Sequence, residues 1–542
     1  MAYVKPGVTV KQVQTTVSPN LAPPSLNACI IGAGYEVVET TDEVSVYTDS
    51  GLTVAQTYTN ASDTVAYLKL KDGATLDADS VYVDLMGPGT GWYHVGSADI
   101  QADAGAGTVT INSGISSSLG LAATIRVGYR AMLSGLNQYF TVESESDVVD
   151  RVGKTTTYNP LAFGLSQALI NAGSSVSAYG VLDDTAGEHN NALEALTLQE
   201  VYALAPMTHQ TVESAYGAHV DTMSLAANKK ERLAFVNAKW AWFESDGTTP
   251  ADGPNDADMD KAGTATGLSA RAFGVAKKRV FYTNPDTFYT NESRPLATVK
   301  QSFLADSNNL VTTYGLYAQF TETWIYNNGV TAKTYYAGDD ITDAAWARLM
   351  ENTGYGYSAQ SITVGVPVPG YYLAAGAAGQ VSGQPPEQGH TNMALAGAYN
   401  KLKFSGDFFS EAQLNTLADG GNWIFWQANS AAPIVTRHQT STDRSSVEKA
   451  ELNITKSVDF TSKFVREGLV PYIGKYNVTP AFLKMVKSLI QGMGTYLRRE
   501  GHIIDLKVDK VEQDSVSKDT ILVTMSLAVK YPVNYIKITL QF

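Results

Sequence analysis

The tetrapeptide Val152-Gly153-Lys154-Thr155 has the residue types that end a phosphate-binding loop. In such a loop backbone amides cradle the phosphates, while the lysine and hydroxyl side chains bind phosphate and metal ion. The motif also requires a glycine five residues before Gly153, where this chain has Val148. Residues 144–151 have the pattern of a short capped helix, whereas a phosphate-binding loop follows a strand. We therefore do not predict a nucleotide site here.

Two further motifs resemble ligand sites but lack essential residues. Residues 32–34 (Gly-Ala-Gly) follow an apolar strand, as a dinucleotide-binding motif does, but Val37 occupies the third glycine position. Three aspartates have the 1-3-5 spacing of a calcium loop: Asp256, Asp258 and Asp260. Lys261 replaces the turn glycine of such a loop, and Gly267 replaces its bidentate glutamate. An acidic surface loop is the better interpretation.

The histidines do not form a recognisable site. All seven are scattered along the chain, at positions 94, 189, 209, 219, 390, 438 and 502. None has the paired spacing of a zinc site, and no G-x-S-x-G motif accompanies them. We find no catalytic constellation, and we predict no enzymatic activity, no cofactor and no metal ion.

Composition favours a large soluble protein rich in strands. A length of 542 residues is enough for roughly three or four domains. Hydrophobic residues make up 44% of the chain, which includes 46 glycines, and no run approaches the roughly 18 apolar residues that span a bilayer. The single cysteine, Cys29, excludes an intrachain disulfide and favours cytosolic production with a buried thiol.

Charge is unevenly distributed. The net charge is −14, yet residues 435–542 contain 16 lysines and arginines against 11 aspartates and glutamates. The acidic body argues against nucleic acid as a partner. The basic C-terminal region favours an acidic partner there.

Hydrophobic patterning divides the chain into blocks. Residues 28–31 predict a short buried strand. Residues 35–135 contain short alternating segments separated by glycine, serine and aspartate, which predicts a β-sandwich or barrel. From 138 to 380 strands alternate with helical patterns, as in an α/β or α+β protein. Residues 376–389 are rich in glycine, serine and proline, and we interpret them as a loop or linker.

The clearest helix begins after Thr479, a good N-cap, with Pro480 in the first helical position and Gly501 placed to end it. Its apolar residues recur at spacings of three and four, which predicts one buried stripe. Basic residues lie on a different face: Lys484, Lys487 and Arg498. They form either a solvated face or a contact surface for an acidic partner.

Both ends of the chain have the pattern of extended arms. Residues 536–542 alternate apolar and polar side chains to the last residue, after a proline at 532 that cannot donate to a ladder: Ile536, Ile538, Leu540 and Phe542. The N-terminal 24 residues open on a strand-like run with Val8, Thr9 and Val10, and they lack the apolar region of a signal peptide. A terminal apolar strand needs an edge to pair with. That edge is in its own subunit or in a neighbour.

Several ordered segments resemble the tail sheath proteins of contractile phage tails and related injection machines. The motifs are residues 6–10 (PGVTV), 28–32 (ACIIG), the serine-led helix at 142–153, the block 200–206 (EVYALAP) with His219, Ser224 and Arg232, the G-x-N-x-I segment at 420–424, and the N-x-T-P helix start at 477–480. Two departures stand out: residues 376–389 replace an aromatic- and proline-rich stretch, and residues 437–442 replace the usual R-T-L strand.

The resemblance implies an α+β multidomain fold with a β-sandwich insertion, an α/β sheath core and a C-terminal α+β domain, flanked by two extended arms. We expect these parts in chain order: an N-terminal arm (1–25), the first core strand (26–34), the outer β-insertion (35–135), the central domain (136–380), the inner, tube-facing domain (381–530) and a C-terminal arm strand (531–542).

The resemblance further implies stacked, hexameric rings around a tail tube, linked by strands that the two arms exchange. The expected partners are further copies of the chain, the tail tube protein, and baseplate and terminator proteins at the ends, with no direct nucleic acid contact and no membrane insertion. Such a protein is located in the virion tail and assembles in the host cytoplasm. A static virion or surface β-protein, and an enzyme with a β-rich accessory domain, remain alternatives.

Overall fold

The structure is a computed structural model of the chain. It describes residues 24, 26–38, 46–59, 62–86, 92–115, 123–133, 136–237, 268–285, 287–295, 319–326, 329–336, 361–399, 401–402, 411–429, 432–534 and 536–541. The predicted N-terminal strand residues Val8, Thr9 and Val10, the aspartates at 256–260 and the terminal Phe542 lie outside these ranges.

Strands dominate the described residues. In chain order they are β1 (Ala28–Ala33), β2 (Tyr35–Val38), β3 (Val46–Tyr47), β4 (Thr57–Tyr58), β5 (Thr64–Leu68), β6 (Ala74–Met86), β7 (Trp92–His94), β8 (Ile100–Asp103), β9 (Thr108–Ile111), β10 (Ala123–Leu133), β11 (Tyr139–Val142), β12 (Val176–Val181), β13 (Ala203–Pro206), β14 (Leu233–Asn237), β15 (Val280–Asn284), β16 (Thr287–Pro295), β17 (Gln319–Tyr326), β18 (Gly329–Tyr336), β19 (Ser361–Pro369), β20 (Lys401–Leu402), β21 (Asn422–Trp426), β22 (Val435–Thr436), β23 (Asp505–Gln513) and β24 (Ile521–Ala528).

The helices are fewer, and several of them pack on the largest sheet. They are α1 (Glu145–Val152), α2 (Pro160–Ala172), α3 (Ala186–Ala195), α4 (Glu213–Met223), α5 (Leu268–Val275), α6 (Tyr371–Gly383), α7 (Glu411–Asp419), α8 (Val447–Ala450), α9 (Leu452–Leu469) and α10 (Pro480–Arg499). Among the described residues no helix has the length and apolar character that a bilayer span requires.

The described chain forms two compact units. The larger contains residues 26–455 and 532–541, and the smaller contains residue 24 and residues 456–531. The chain therefore leaves the larger unit after residue 455 and returns to it after residue 531.

An eight-stranded sheet organises the larger unit, in the order β11-β12-β1-β13-β14-β15-β21-β22. The six strands from β12 to β21 run parallel, and β11 and β22 add antiparallel edges. The parallel strands are buried on both faces, which explains the continuous apolar run around Ile30. Since β21 and β22 belong to this sheet, the predicted domain boundary at 381 is wrong. Pairing of β15 with β21 joins segments about 140 residues apart, and no local pattern reveals it.

Residues 371–383 form a buried helix, so the predicted loop or linker at 376–389 is wrong over most of its length. Helix α6 packs along α2 on the sheet face that Ile30 contacts. A Cβ atom at Gly379 would overlap the carbonyl oxygen of Ala168, and one at Gly383 would overlap that of Ala172. These glycines are therefore needed for helix contact, not for a turn.

Residues 35–133 build two antiparallel sheets over a shared core. One sheet has the order β2-β10-β6-β7 with β4 also paired to β10, and the other has the order β3-β5-β9-β8. Their core includes Tyr58, Val83, Val109 and Val127, each fully buried. This strand-rich block is what the sequence predicts for the region. Tyr35 and Val37 of β2, however, pack into the core of the eight-stranded sheet.

In the smaller unit helix α10 packs against β23 of the two-stranded ribbon β23–β24. Thr479 caps α10 as predicted, its hydroxyl accepting from the Phe482 amide at 3.2 Å. Tyr496 of α10 stacks on Phe464 of α9 with ring centroids 5.5 Å apart. Gly494 lets Leu506 of β23 approach α10 closely.

Candidate assembly surfaces

The described part of the C-terminal arm (residues 531–542) forms no ladder with other described residues. Its alternate apolar side chains are almost fully exposed: Ile536 79%, Ile538 78% and Leu540 83%. Side chains with period-two spacing line one face of an extended strand. The alternative in which this segment completes its own subunit's sheet is not seen in the described chain. Burying each of these side chains would contribute roughly 1.5–3 kcal/mol.

The ribbon β23–β24 has an unpaired outer edge on each strand, within the described residues. The two strands are antiparallel, with Leu506 opposite Leu527 and a register shift between Val508 and Lys510. Leu522 and Met525 of β24 are 44% and 40% exposed. A two-stranded ribbon is marginal alone, and its free backbone groups can receive a further strand.

The predicted basic residues lie on one face of α10. At 100° per residue, Lys484, Lys487 and Arg498 fall within about 60° of one another around the helix axis. Lys484 and Arg498 are exposed, and Lys487 is half-buried. The buried stripe faces elsewhere: Val486, Ile490, Met493 and Leu497.

Acidic side chains partly neutralise the positive charge of this face. Arg498 Nη1 lies 3.9 Å from Asp505 Oδ1, and both side chains are more than half exposed, so this pair contributes little. The pKa of Asp509 is held below its ordinary value by a hydrogen bond from the Ser526 hydroxyl, and the charges of Lys507 and Lys487 add to this effect. Lys487 therefore already has an acidic neighbour.

A polar cluster around Asn534 of the C-terminal arm was not predicted. We call it the clasp; it consists of Asn534, Glu451 and His438. Asn534 Nδ2 donates to Glu451 Oε1 at 2.8 Å, and His438 Nε2 lies 2.8 Å from the same oxygen. Gln439 Nε2 donates to Glu451 Oε2 at 3.0 Å. Its members are 13 to 96 residues apart in sequence, so no spacing motif could have revealed them.

The Glu451 carboxylate of the clasp is held charged. Burial raises its pKa, but hydrogen bonds from His438, Gln439 and Asn534 outweigh burial and bring the pKa below the ordinary value. Glu451 is only 3% exposed, and a buried carboxylate needs such donors. The same network thus ties Asn534 of the arm to Glu451, which precedes residue 456.

The block of residues 200–232 is brought together by the fold. The Arg232 amide donates to Ser224 Oγ at 3.1 Å, and Arg232 Nη1 lies 2.6 Å from His219 Nε2. Arg232 is fully buried and also donates to the Leu196 and Gln199 carbonyl oxygens. These contacts join the C-terminal part of α4 to the start of β14.

Local structure around the ligand-like motifs differs from that of ligand sites. Gly153 ends helix α1, with φ of 93°, so residues 152–155 follow a helix and not a strand. Cys29 is fully buried, and burial raises its pKa to about 12, which makes the thiol unreactive. Within the described ranges no group of three or more histidine, cysteine, aspartate or glutamate side chains is placed to hold a metal ion.

Comparison of the chain with protein-family models and with curated proteins finds no match. Among solved structures it is similar to the helical sheath of the anti-feeding prophage in its contracted state, with 11% identity, a TM-score of 0.46 and coverage of 75% of this chain and 88% of the other. It is also similar to the contracted sheath complex of an extracellular contractile injection system, with 11% identity, a TM-score of 0.46 and coverage of 75% and 86%. A sheath tail protein from Listeria innocua has 9% identity, a TM-score of 0.41 and coverage of 95% and 94%. All three neighbours are named as sheath proteins or sheath assemblies.

Proposed function

We propose that this chain is a structural subunit of the sheath of a contractile tail or tail-like injection machine. Copies assemble as stacked, hexameric rings around a tube, and they contract to drive the tube through a target envelope. This assigns to the chain the role that the names of its structural neighbours describe.

The observation that supports the proposal most strongly is the exposed C-terminal arm. Ile536, Ile538 and Leu540 are four-fifths exposed and alternate with polar residues. An isolated strand of this kind is an aggregation hazard unless it has a partner edge. The ribbon β23–β24 of a neighbouring copy offers such an edge. Each added strand contributes main-chain hydrogen bonds and side-chain burial on one face.

Strand exchange keeps subunits connected while they move. In the proposed lattice the C-terminal strand, which ends at Phe542, is the first strand added to a neighbouring ribbon. The N-terminal residues Val8, Thr9 and Val10 add a second strand. The arms act as hinges between rigid bodies. Contraction is then a downhill repacking from a kinetically trapped extended lattice, and it needs no nucleotide.

The basic face of α10 is proposed to contact the tube. Lys484, Lys487 and Arg498 would pair weakly with an acidic tube wall, each contact contributing at most about 1 kcal/mol. Many copies along a tail sum these contacts, while each one breaks easily during contraction. Baseplate and terminator proteins would bind the two ends of the sheath. We propose location in the tail and assembly in the host cytoplasm, without membrane insertion or direct nucleic acid contact.

Reversing the three basic residues tests the tube contact. We expect the triple change of Lys484, Lys487 and Arg498 to glutamate to preserve sheath–sheath contacts but weaken coating of tubes, measured by co-sedimentation at low salt. Wild-type coating should weaken as salt rises. The control reverses three exposed lysines of the larger unit: Lys69, Lys71 and Lys278. Equal coating by the triple variant and wild type would show that the face is only solvated.

Electron microscopy of the purified full-length protein tests the sheath assignment itself. We expect tubular polymers of stacked rings with two different pitches, extended and contracted. Polymers of a single pitch would indicate a static assembly protein instead. Monomers that persist at high concentration would contradict the proposal.

A further inference from the structure

The C-terminal arm is anchored at Asn534, just before the alternating apolar run that starts at Ile536. Asn534 lies in the larger unit with Glu451 and His438, and it donates to Glu451 at 2.8 Å. Two residues later the exposed run starts at Ile536. The hydrogen-bonded residue Asn534 and the start of the exposed alternating run at Ile536 thus lie within three residues of each other.

Both residues of this hydrogen bond are also close in sequence to the points where the chain passes from one unit to the other. Glu451 comes five residues before the smaller unit begins at Lys456, and Asn534 comes three residues after that unit ends at Tyr531. The hydrogen bond between Asn534 and Glu451 therefore closes a loop that contains residues 456–531 of the smaller unit. Closing a loop of this length costs entropy, which this contact and the packing around it together offset.

The chemistry of the pair suits a strong contact. Glu451 is 3% exposed and its pKa is lowered, and a hydrogen bond to a charged acceptor is stronger than one between neutral groups. The orientation of the Asn534 amide is fixed by the charge: its NH₂ group must face the carboxylate, because the opposite orientation would place two oxygens together. The arm also approaches the larger unit just before this site, since Pro532 lies next to Gly389.

We propose that the clasp is the root of the C-terminal arm, that is, the point at which the arm is anchored to its own subunit. It fixes the arm to its own subunit at Asn534, so that only the segment after Asn534 is exchanged with a neighbour. The exchanged segment begins at a fixed point, which sets the reach and direction of the strand. The meaning of this root for assembly rests on the proposed sheath function, but its existence is a property of the single subunit.

Spin labelling of the monomeric full-length chain tests the clasp. A nitroxide is attached at Val533→Cys, next to Asn534, where the side chain is 80% exposed. Cys29 stays unlabelled because it is fully buried and its pKa is raised to about 12. We expect a restricted spectrum for the otherwise wild-type chain. Asn534→Asp places a second carboxylate against Glu451, and the spectrum should shift to that of a mobile chain.

Two further variants make the test specific. Gln541→Glu adds the same charge near the end of the arm and should leave the label restricted. Combining Asn534→Asp with Glu451→Gln reverses donor and acceptor, so the pair can form again and the label should return to the restricted state. Circular dichroism establishes that each variant is folded.

The outcomes separate the two proposals. If Asn534→Asp leaves the label restricted, or if the double change fails to restore restriction in a folded chain, the clasp is not the root. Sheath assembly could still be correct in that case. If the clasp behaves as expected but the full-length protein forms no polymers, the sheath function fails and the clasp remains.

Discussion

At the residue scale, the most informative polar contact is between His219 and Arg232. Burial lowers the pKa of His219 to about 4, and the charge of Arg232 adds to this effect. The guanidinium donates toward His219 Nε2, so this nitrogen must be a free acceptor and the imidazole must be neutral. The contact therefore holds only while His219 is unprotonated.

This contact predicts a specific loss of stability in acid. In the unfolded chain a histidine binds a proton below about pH 6.5, whereas folded His219 does so only near pH 4. Stability is therefore fully present above pH 6.5 and falls as the pH drops toward 4, by roughly 1–3 kcal/mol. His219→Gln keeps an acceptor but does not titrate, so the variant should lose less stability than wild type over this range.

Urea unfolding at pH 7 and pH 4.5, followed by tryptophan fluorescence, measures this difference. All seven tryptophans lie in the sequence range of the larger unit, which contains His219. Comparing variant with wild type cancels the titration of carboxylates elsewhere. Parallel pH profiles for the two proteins would contradict the assignment.

At the element scale, the contact between α2 and α6 depends on glycine. Gly379 and Gly383 bring α6 against the backbone of α2, where even a methyl group would overlap a carbonyl oxygen. A helix pair this close leaves no room for repacking, since the obstacle is backbone and not a flexible side chain.

Replacing these glycines by alanine should therefore lower the free energy of unfolding, whereas replacing an unhindered helical glycine should raise it. Gly379→Ala should destabilise the larger unit by about 1–3 kcal/mol. Gly492→Ala in α10 has open space around the new methyl group and should stabilise the smaller unit by about 0.5–1 kcal/mol. Tryptophan fluorescence follows the first variant and far-UV circular dichroism the second. Stabilisation by Gly379→Ala would contradict the close packing.

Sequence alone predicts some of these elements well and others poorly. Helix α10 is predictable because Thr479, Pro480 and one apolar stripe define it locally. Helix α6 is missed because glycines that serve a tertiary contact have the composition of a loop. The predicted boundary at 381 wrongly divides the central sheet, because no local sequence pattern reveals the pairing of β15 with β21. The clasp is missed for the same reason, as its members meet only in the fold.

At the scale of the whole molecule, the block of residues 35–133 is joined to the rest of the larger unit through a short neck, formed by β2 and the end of β10. Val38 of β2 lies opposite Tyr129 of β10, and Tyr35 lies opposite Met132. Asn159, buried at the N-terminus of α2, bonds both the amide and the carbonyl of Tyr35. The insertion's removable part therefore begins after Val38, later than the predicted boundary at 35.

This neck predicts that the insertion can be removed. Replacing residues 39–128 by Asn-Gly should close β2 and β10 into a tight hairpin, with Tyr129 and Ala131 changed to threonine because they lose their core partners. If the block projects outward from the sheath, the shortened chain should fold and polymerise like the full-length protein in electron micrographs. A folded variant that forms no polymers would show that the block carries contacts between subunits.

The central claim, exchange of the C-terminal strand between subunits, is tested most directly by truncation after Asn534. This removes the exposed segment and keeps the clasp. The account predicts a soluble chain with unchanged circular dichroism and unfolding transition that forms no tubes in electron micrographs, under conditions where the full-length chain does. Tubes that form without residues 535–542, or a chain that unfolds without them, would contradict it.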